Sequence, residues 1–274
     1  MRFEYQRCDK EFCKNAFNKL RLLANNTCIT ATTHMSLVSD FCILTSRQEI
    51  LREIDVSIQK QQPFKIFAIN AHNLSLGLKD GKYLHILSNS VFNICDGVNV
   101  KRIIELTSNA SVECYPGPDL FDDLVFRKCL TSIGVHAFVG STPEILSGLR
   151  DRFGTQYYHY IPIPFVESVD ALDIRDISHT INRAGADVIW IGLGTPKQEY
   201  FIDRLAPHLR KGVLIGVGAA FGFASGLRDY KRAPQWMREH HLEWLHRLIR
   251  EPRRIGRRQV ISTVGLLRAI NRYG

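Results

Sequence analysis

From Phe64 onward the chain alternates short β-branched or apolar runs with longer amphipathic stretches, and few folds accept that rhythm. The runs are KIFAIN, FNICD, VHAFVG, DVIWIGLG and GVLIGVG. The stretches between them predict helices over 84–89, after Gly97, and over 143–152, 174–184 and 197–209. Strand, helix, strand at this spacing reads as α/β, a parallel sheet with helices on both faces. Ligands of such sheets sit beyond the carboxyl ends of the strands, so polar residues at those ends carry the functional argument. With 274 residues, 45% of them hydrophobic, the chain can bury the core of one larger α/β domain and still carry a small appendage.

Two regions depart from the rhythm. Residues 1–36 read as an N-terminal extension with one or two helices, and no function is found in them. After Gly226 the spacing of Leu242, Leu245, Leu248 and Ile249 turns helical, which predicts a helical appendage over 227–274 beside an α/β core over 37–226. That appendage is a separate electrostatic object. From Arg228 onward there are twelve Lys or Arg against four acidic residues, whereas residues 1–227 hold 24 basic and 23 acidic groups. A partner bearing negative charge is implied: phosphate, lipid headgroup or nucleic acid. The N-terminus is charged throughout, and nothing later approaches the roughly 18 uninterrupted apolar residues of a membrane span, so a cytoplasmic protein is expected. The seven cysteines are Cys8, Cys13, Cys28, Cys42, Cys95, Cys114 and Cys129. They show no C-x-x-C pair and read as reduced, structural thiols; Cys8 and Cys13 lack a second ligand pair, and no metal is assigned to them.

Four strand ends bear chemistry. Residues 190–199, WIGLGTPKQE, pass from a buried strand through Gly192 and Gly194 into a helix with proline at its start. Glycines let backbone approach a ligand and a helix N-terminus favours an anion, although a Gly-x-Gly turn is also an ordinary connection. Lys197, Gln198 and Glu199 place donors and acceptors in the first helical turn. FNICD ends at Asp96, which reads either as a helix N-cap or as a general base for an acceptor hydroxyl. Asn70 stands at the equivalent place after KIFAI, as a turn residue or as a ligand for a sugar hydroxyl. The run GVGAAF at 216–221 lacks the last glycine of a dinucleotide fingerprint, which argues against a nicotinamide enzyme. No Asp-x-Asp occurs in the chain, so a diphosphate leaving group would need positive side chains; Arg247, Arg254 and Arg257 are the candidates, with a solvated basic face as the other reading.

Taken together, DGV, GLGTPKQE, and RAP followed by LEWLHRLIREPRRIGRR resemble the WecG/TagA/CpsF family of bacterial glycosyltransferases, glycosyltransferase family 26. The match covers roughly 37–258. The resemblance implies a Rossmann-like core and an appendage that closes over the site at the membrane. It also implies transfer of a sugar from a UDP-sugar to an undecaprenyl-diphosphate-linked saccharide, with inversion and without metal or other cofactor. By position, Asp96 matches the family's proposed catalytic base and Asn70 a cleft asparagine. Gln198 matches the glutamine of the PKQE motif near the sugar, and Arg247, Arg254 and Arg257 match appendage arginines thought to engage the donor diphosphate. The family often has Thr where this chain has Ala68 and Arg where it has Cys114, so recognition on that side of the cleft differs and the donor sugar of known members is not assumed.

The expected catalytic residues are therefore Asp96 and Gln198, and the expected substrate-binding residues Asn70, Gly192, Gly194, Lys197, Arg247, Arg254 and Arg257. Expected partners are a UDP-sugar, a polyprenyl-diphosphate-linked acceptor and an anionic membrane surface on the inner face of the cell membrane, with Trp236, Trp244 and the appendage arginines as the contact. A homo-oligomer is left open. Two rival classes are a nucleic-acid-binding module using the basic tail, disfavoured by the tail's Leu and Trp content, and a Rossmann oxidoreductase, disfavoured by the missing glycine.

Overall fold

The computed structural model of the protein describes residues 42–108, 111–128, 134–240, 242–252 and 256. The N-terminal extension expected over 1–36 lies outside the described residues. Six strands, β1 (Pro63–Ile69), β2 (Phe92–Cys95), β3 (His136–Val139), β4 (Tyr158–Ile161), β5 (Val188–Ile191) and β6 (Gly212–Gly216), form one sheet in the order β2-β1-β6-β5-β3-β4. All pairings are parallel, with Ile69 opposite Cys95, Phe67 opposite Gly216, and Ile191 opposite both Gly216 and Val139. The expected parallel α/β sheet is what forms.

The alternation of strand side chains sorts the core into two layers. Phe67, Ile69, Val139, Ile189, Ile191 and Leu214 face one layer; Ile66, Phe138, Val188, Trp190, Val213 and Ile215 face the other. The first layer is covered by α2 (Ala71–Gly77), α3 (Gly81–Ser88), α4 (Val98–Ser108), α7 (Ile174–Ala184) and α8 (Lys197–Leu205). The second is covered by α1 (Arg47–Gln59), α5 (Gly117–Phe121), α6 (Pro143–Phe153) and α9 (Ala220–Ser225). Right-handed crossovers account for the split. Connections that step toward the β2 edge, from β1 to β2, β4 to β5 and β5 to β6, all run over the first layer; the step from β3 to β4, toward the opposite edge, runs over the second.

Local chemistry fixes where the helices begin. Ser46 caps α1 by accepting from Glu49 N–H, Thr142 caps α6 just before Pro143, and Asp173 caps α7, which ends at Gly185 in the left-handed region. In the second layer Phe121 sits edge-on to Trp190 at 4.9 Å between ring centroids and to Phe221 at 5.8 Å. Trp190 is fully buried, and its indole N–H donates to His136 Nδ1 at 3.0 Å. Burial pushes the His136 imidazole down to about 4, outweighing the pull of Asp187 the other way, so the ring stays neutral and can accept.

Several elements were not anticipated. Strand β4, YHYI, lies at one edge of the sheet and has no apolar run, three of its residues being only half-buried, whereas β2 at the other edge is wholly buried. Helix α1, which packs Ile50, Ile54 and Ile58 against the second layer, was also missed. The helix expected over 197–209 stops at Leu205 and tightens into a 3₁₀ turn, Ala206–His208, with proline inside it. Cys95 and Cys114 carry free thiols, but Cys42 is disulfide-bonded, against the expectation of reduced cysteines. Beyond Gly226 the described chain holds α10 (Gln235–Glu239) and α11 (Glu243–Arg250). Arg232, just before them, reaches Asp119 at 2.6 Å, Asp122 at 3.0 Å and Glu243 at 3.5 Å, tying α5 of the core to α11.

Candidate active site

Strand order determines which polar ends become neighbours. Because β2 lies beside β1, the N–H of Asp96 continues the ladder by donating to Ile69 O at 2.8 Å, and Asp96 and Asn70 stand side by side. Asn70 Nδ2 donates to Asp96 Oδ2 at 3.3 Å. Asn70 is at the same time the N-cap of α2: its Oδ1 accepts from the N–H groups of His72 and Asn73, and Asn73 Oδ1 accepts from Asn70 N–H, completing a capping box. The cap holds the asparagine in one rotamer with its amide N–H₂ left for the carboxylate. Asp96 is half-buried at the strand end and is followed by Gly97 at φ +121°, a conformation suited to glycine.

The loop after β5 lies across β6 from Asn70, about 10 Å away in strand spacings. Gln198 closes that gap. Its side chain lies over Gly216, where a Cβ would come within 2.9 Å of Nε2, and its Oε1 accepts from Gly218 N–H at 3.1 Å. Nε2 donates to Glu199 Oε1 at 3.0 Å and lies 3.5 Å from Thr195 Oγ1. The amide of Gln198 is thus buried and engaged at both ends, so its geometry locks the loop of β5 to the turn of β6. Glu199 collects three donors on that one oxygen: Thr195 Oγ1 at 3.0 Å, Gln198, and Asn73 Nδ2 at 3.1 Å. Burial raises the Glu199 carboxyl above its usual value while these donors work to lower it. One hydrogen-bonded chain therefore runs from Asp96 through Asn70, Asn73, Glu199 and Gln198 to Gly218, across the ends of β2, β1, β5 and β6.

The other expected site residues divide. Gly194, at φ +76°, has open space where a Cβ would stand, whereas a Cβ on Gly192 would meet the Phe221 ring at 2.4 Å, so Gly192 answers to packing. Lys197 is turned to the loop after β4: its Nζ donates to Val166 O at 2.6 Å and stands 4.9 Å from the Phe165 ring centroid. Arg247 belongs to α11, with its side chain outside the described residues, and Arg254 and Arg257 lie outside them altogether. Asn73 and Glu199 were missed as members of the site. Glu199 was visible in PKQE, but no local pattern shows that a helix-start glutamate is 1% exposed. A cavity of about 220 Å³ bounded by Asn182, Arg210 and Lys211 lies at the amino ends of the strands, away from these residues.

A half-buried carboxylate and a run of amides thus gather at the carboxyl ends of a parallel sheet, where α/β enzymes take their ligands. The chain belongs to the glycosyl transferase WecG/TagA/CpsF family, whose model matches residues 40–273. It is similar to an N-acetylglucosaminyldiphosphoundecaprenol N-acetyl-beta-D-mannosaminyltransferase of Bacillus subtilis (strain 168), with 32% identity over 189 residues, 68% of this chain and 72% of the relative. A protein of the same description from Bacillus spizizenii is 27% identical over 177 residues, 65% of this chain and 67% of the relative. The protein is accordingly a glycosyltransferase. Among the described residues no helix is long and apolar enough to cross a membrane.

Proposed function

We propose that the protein transfers a hexosaminyl group from a UDP-sugar to a polyprenyl-diphosphate-linked saccharide by single inverting displacement, in cell-envelope polysaccharide synthesis. The observation that carries this is the half-buried carboxylate of Asp96 at a strand end, oriented by Asn70 and standing in the family's matched region. The relatives' names support the acceptor, since they specify a sugar diphosphate on undecaprenol. Asp96 takes the proton of the acceptor hydroxyl as that oxygen attacks the anomeric carbon, and the bond from that carbon to the UDP oxygen breaks. Asn70 orients the base. Gln198 acts as a positioning residue, with Gly194 giving the sugar room beside the loop. Lys197 serves by fixing the loop after β4, and Arg247, Arg254 and Arg257 neutralise the departing diphosphate. Metal-independent departure is proposed from the sequence, which has no Asp-x-Asp and so leaves positive side chains to neutralise the diphosphate.

Residues 37–226 act as the catalytic core in this reading, and 227–274 as a basic lid at the inner face of the membrane. The test is UDP release from a panel of UDP-sugars with a lipid-linked N-acetylglucosamine diphosphate as acceptor. Asp96→Asn should retain donor binding while turnover falls by about 100- to 10,000-fold. Wild-type turnover in that variant would refute the role of Asp96, and no release with any donor would refute the activity.

A further inference from the structure

We propose that Cys95 and Cys114 form a reversibly oxidisable dithiol beside the candidate base, a modification site at which hydroperoxides close a disulfide and throttle turnover. Both sulfurs rest on one residue. The N–H of Gly97 donates to Cys114 Sγ at 3.1 Å, and Cys95 Sγ lies 3.8 Å from Gly97 O. The backbone explains the meeting: Tyr115 N–H donates to Cys95 O at 2.8 Å, which lays the segment carrying Cys114 along the end of β2. Among the described residues these are the free cysteines.

The pair is asymmetric, as a reacting and a resolving cysteine must be. Cys95 is fully buried in the core, while Cys114 is only partly buried. The Cys95 side chain lowers the Cys114 thiol, with the Gly97 N–H helping and burial and Asp96 opposing. Cys114, then burial, raises Cys95. Cys114 therefore supplies the thiolate. It attacks the O–O bond of a hydroperoxide, becoming a sulfenic acid and releasing an alcohol or water; the Cys95 thiol then attacks that sulfur and expels water. Overall, two thiols and one hydroperoxide become one disulfide, one alcohol or water, and one further water. Closure draws the sulfurs to about 2.0 Å. It ties the Gly97 turn, and with it Asp96, to the segment that enters α5, whose Asp119 and the following Asp122 hold Arg232.

The effect on turnover rests on the role proposed for Asp96; the disulfide does not. Full-length protein would be exposed to hydrogen peroxide, alkylated without reduction and mapped by mass spectrometry. A Cys95–Cys114 cross-linked peptide pair about 2 Da lighter than the sum of its thiol peptides is expected, together with a several-fold fall in UDP release, both reversed by dithiothreitol. Cys95→Ser should stop at a sulfenic acid on Cys114, trapped by dimedone. Both thiols remaining alkylatable, or Cys114 passing to sulfinic acid without a cross-link, would overturn the dithiol; a complete cross-link with unchanged turnover would overturn the throttling. Absence of UDP release in the untreated protein would refute the proposed activity while the cross-link result stood alone.

Discussion

At the residue scale, the site depends on side chains that serve local structure and the cleft together. Asn73 is the clearest case, being fully buried, donating to Tyr83 Oη at 2.8 Å and to Glu199, and accepting from Asn70 N–H. Asn73→Ala would leave those buried partners unmatched, each at about 1–3 kcal/mol. We expect a loss of about 3 kcal/mol in urea unfolding with unchanged slope, together with reduced turnover, because Asn70 loses its capping partner. A change below about 0.5 kcal/mol would show that water replaces the amide freely. Gly192→Ala tests packing instead. Its Cβ would overlap the Phe221 ring, so a cost of about 1–3 kcal/mol is expected from a thermal or denaturant midpoint, with donor affinity nearly unchanged in the fraction that folds.

At the element scale, β3 carries a titratable group, His136, in the dry interior of the sheet. His136 is held down to about 4 by burial, against about 6.5 in the unfolded chain, so between those values the unfolded state binds more protons and stability falls as pH falls. The window follows from that sign: little loss above pH 7, progressive loss from 6.5 toward 4, and about 3 kcal/mol in all. Unfolding free energy measured at pH 7 and pH 4.5 should show most of that difference, and His136→Gln should flatten it. Equal slopes in the two proteins would assign the acid sensitivity to carboxylates. The elements themselves were legible where burial is two-sided. β1, β2, β3, β5 and β6 announced themselves as apolar runs, whereas β4, half-exposed at the edge, had no run to read.

At the scale of the whole molecule, an arginine ties the core to the C-terminal helices. Arg232 bridges Asp119, Asp122 and Glu243, so the helices that present Trp236, 57% exposed, Trp244, 48% exposed, and Ile249, 70% exposed, are attached to the core at α5 and the turn after it. Large apolar side chains exposed among basic residues suit an anionic bilayer surface. Replacing Trp236 and Trp244 together by alanine should weaken co-sedimentation with anionic vesicles by about tenfold or more, given about 2 kcal/mol for burying each large side chain. Unchanged co-sedimentation would place membrane contact elsewhere.

The sequence by itself determined the class of fold, the strand ends at which chemistry gathers and the family, because alternation of apolar runs and short motifs such as PKQE are written in neighbouring residues. It also marked Asp96, Asn70 and Gln198. Only the tertiary structure decided what each of them touches. Strand order set Asp96 beside Asn70, a backbone bond from Tyr115 to Cys95 laid the Cys114 segment along the end of β2, burial turned Glu199 into the hub of a buried network, and Lys197 bonds to the loop after β4. The physical reason is that periodicity encodes which face of an element is buried, while the neighbour across that face is chosen by crossover handedness and packing among residues tens of positions apart.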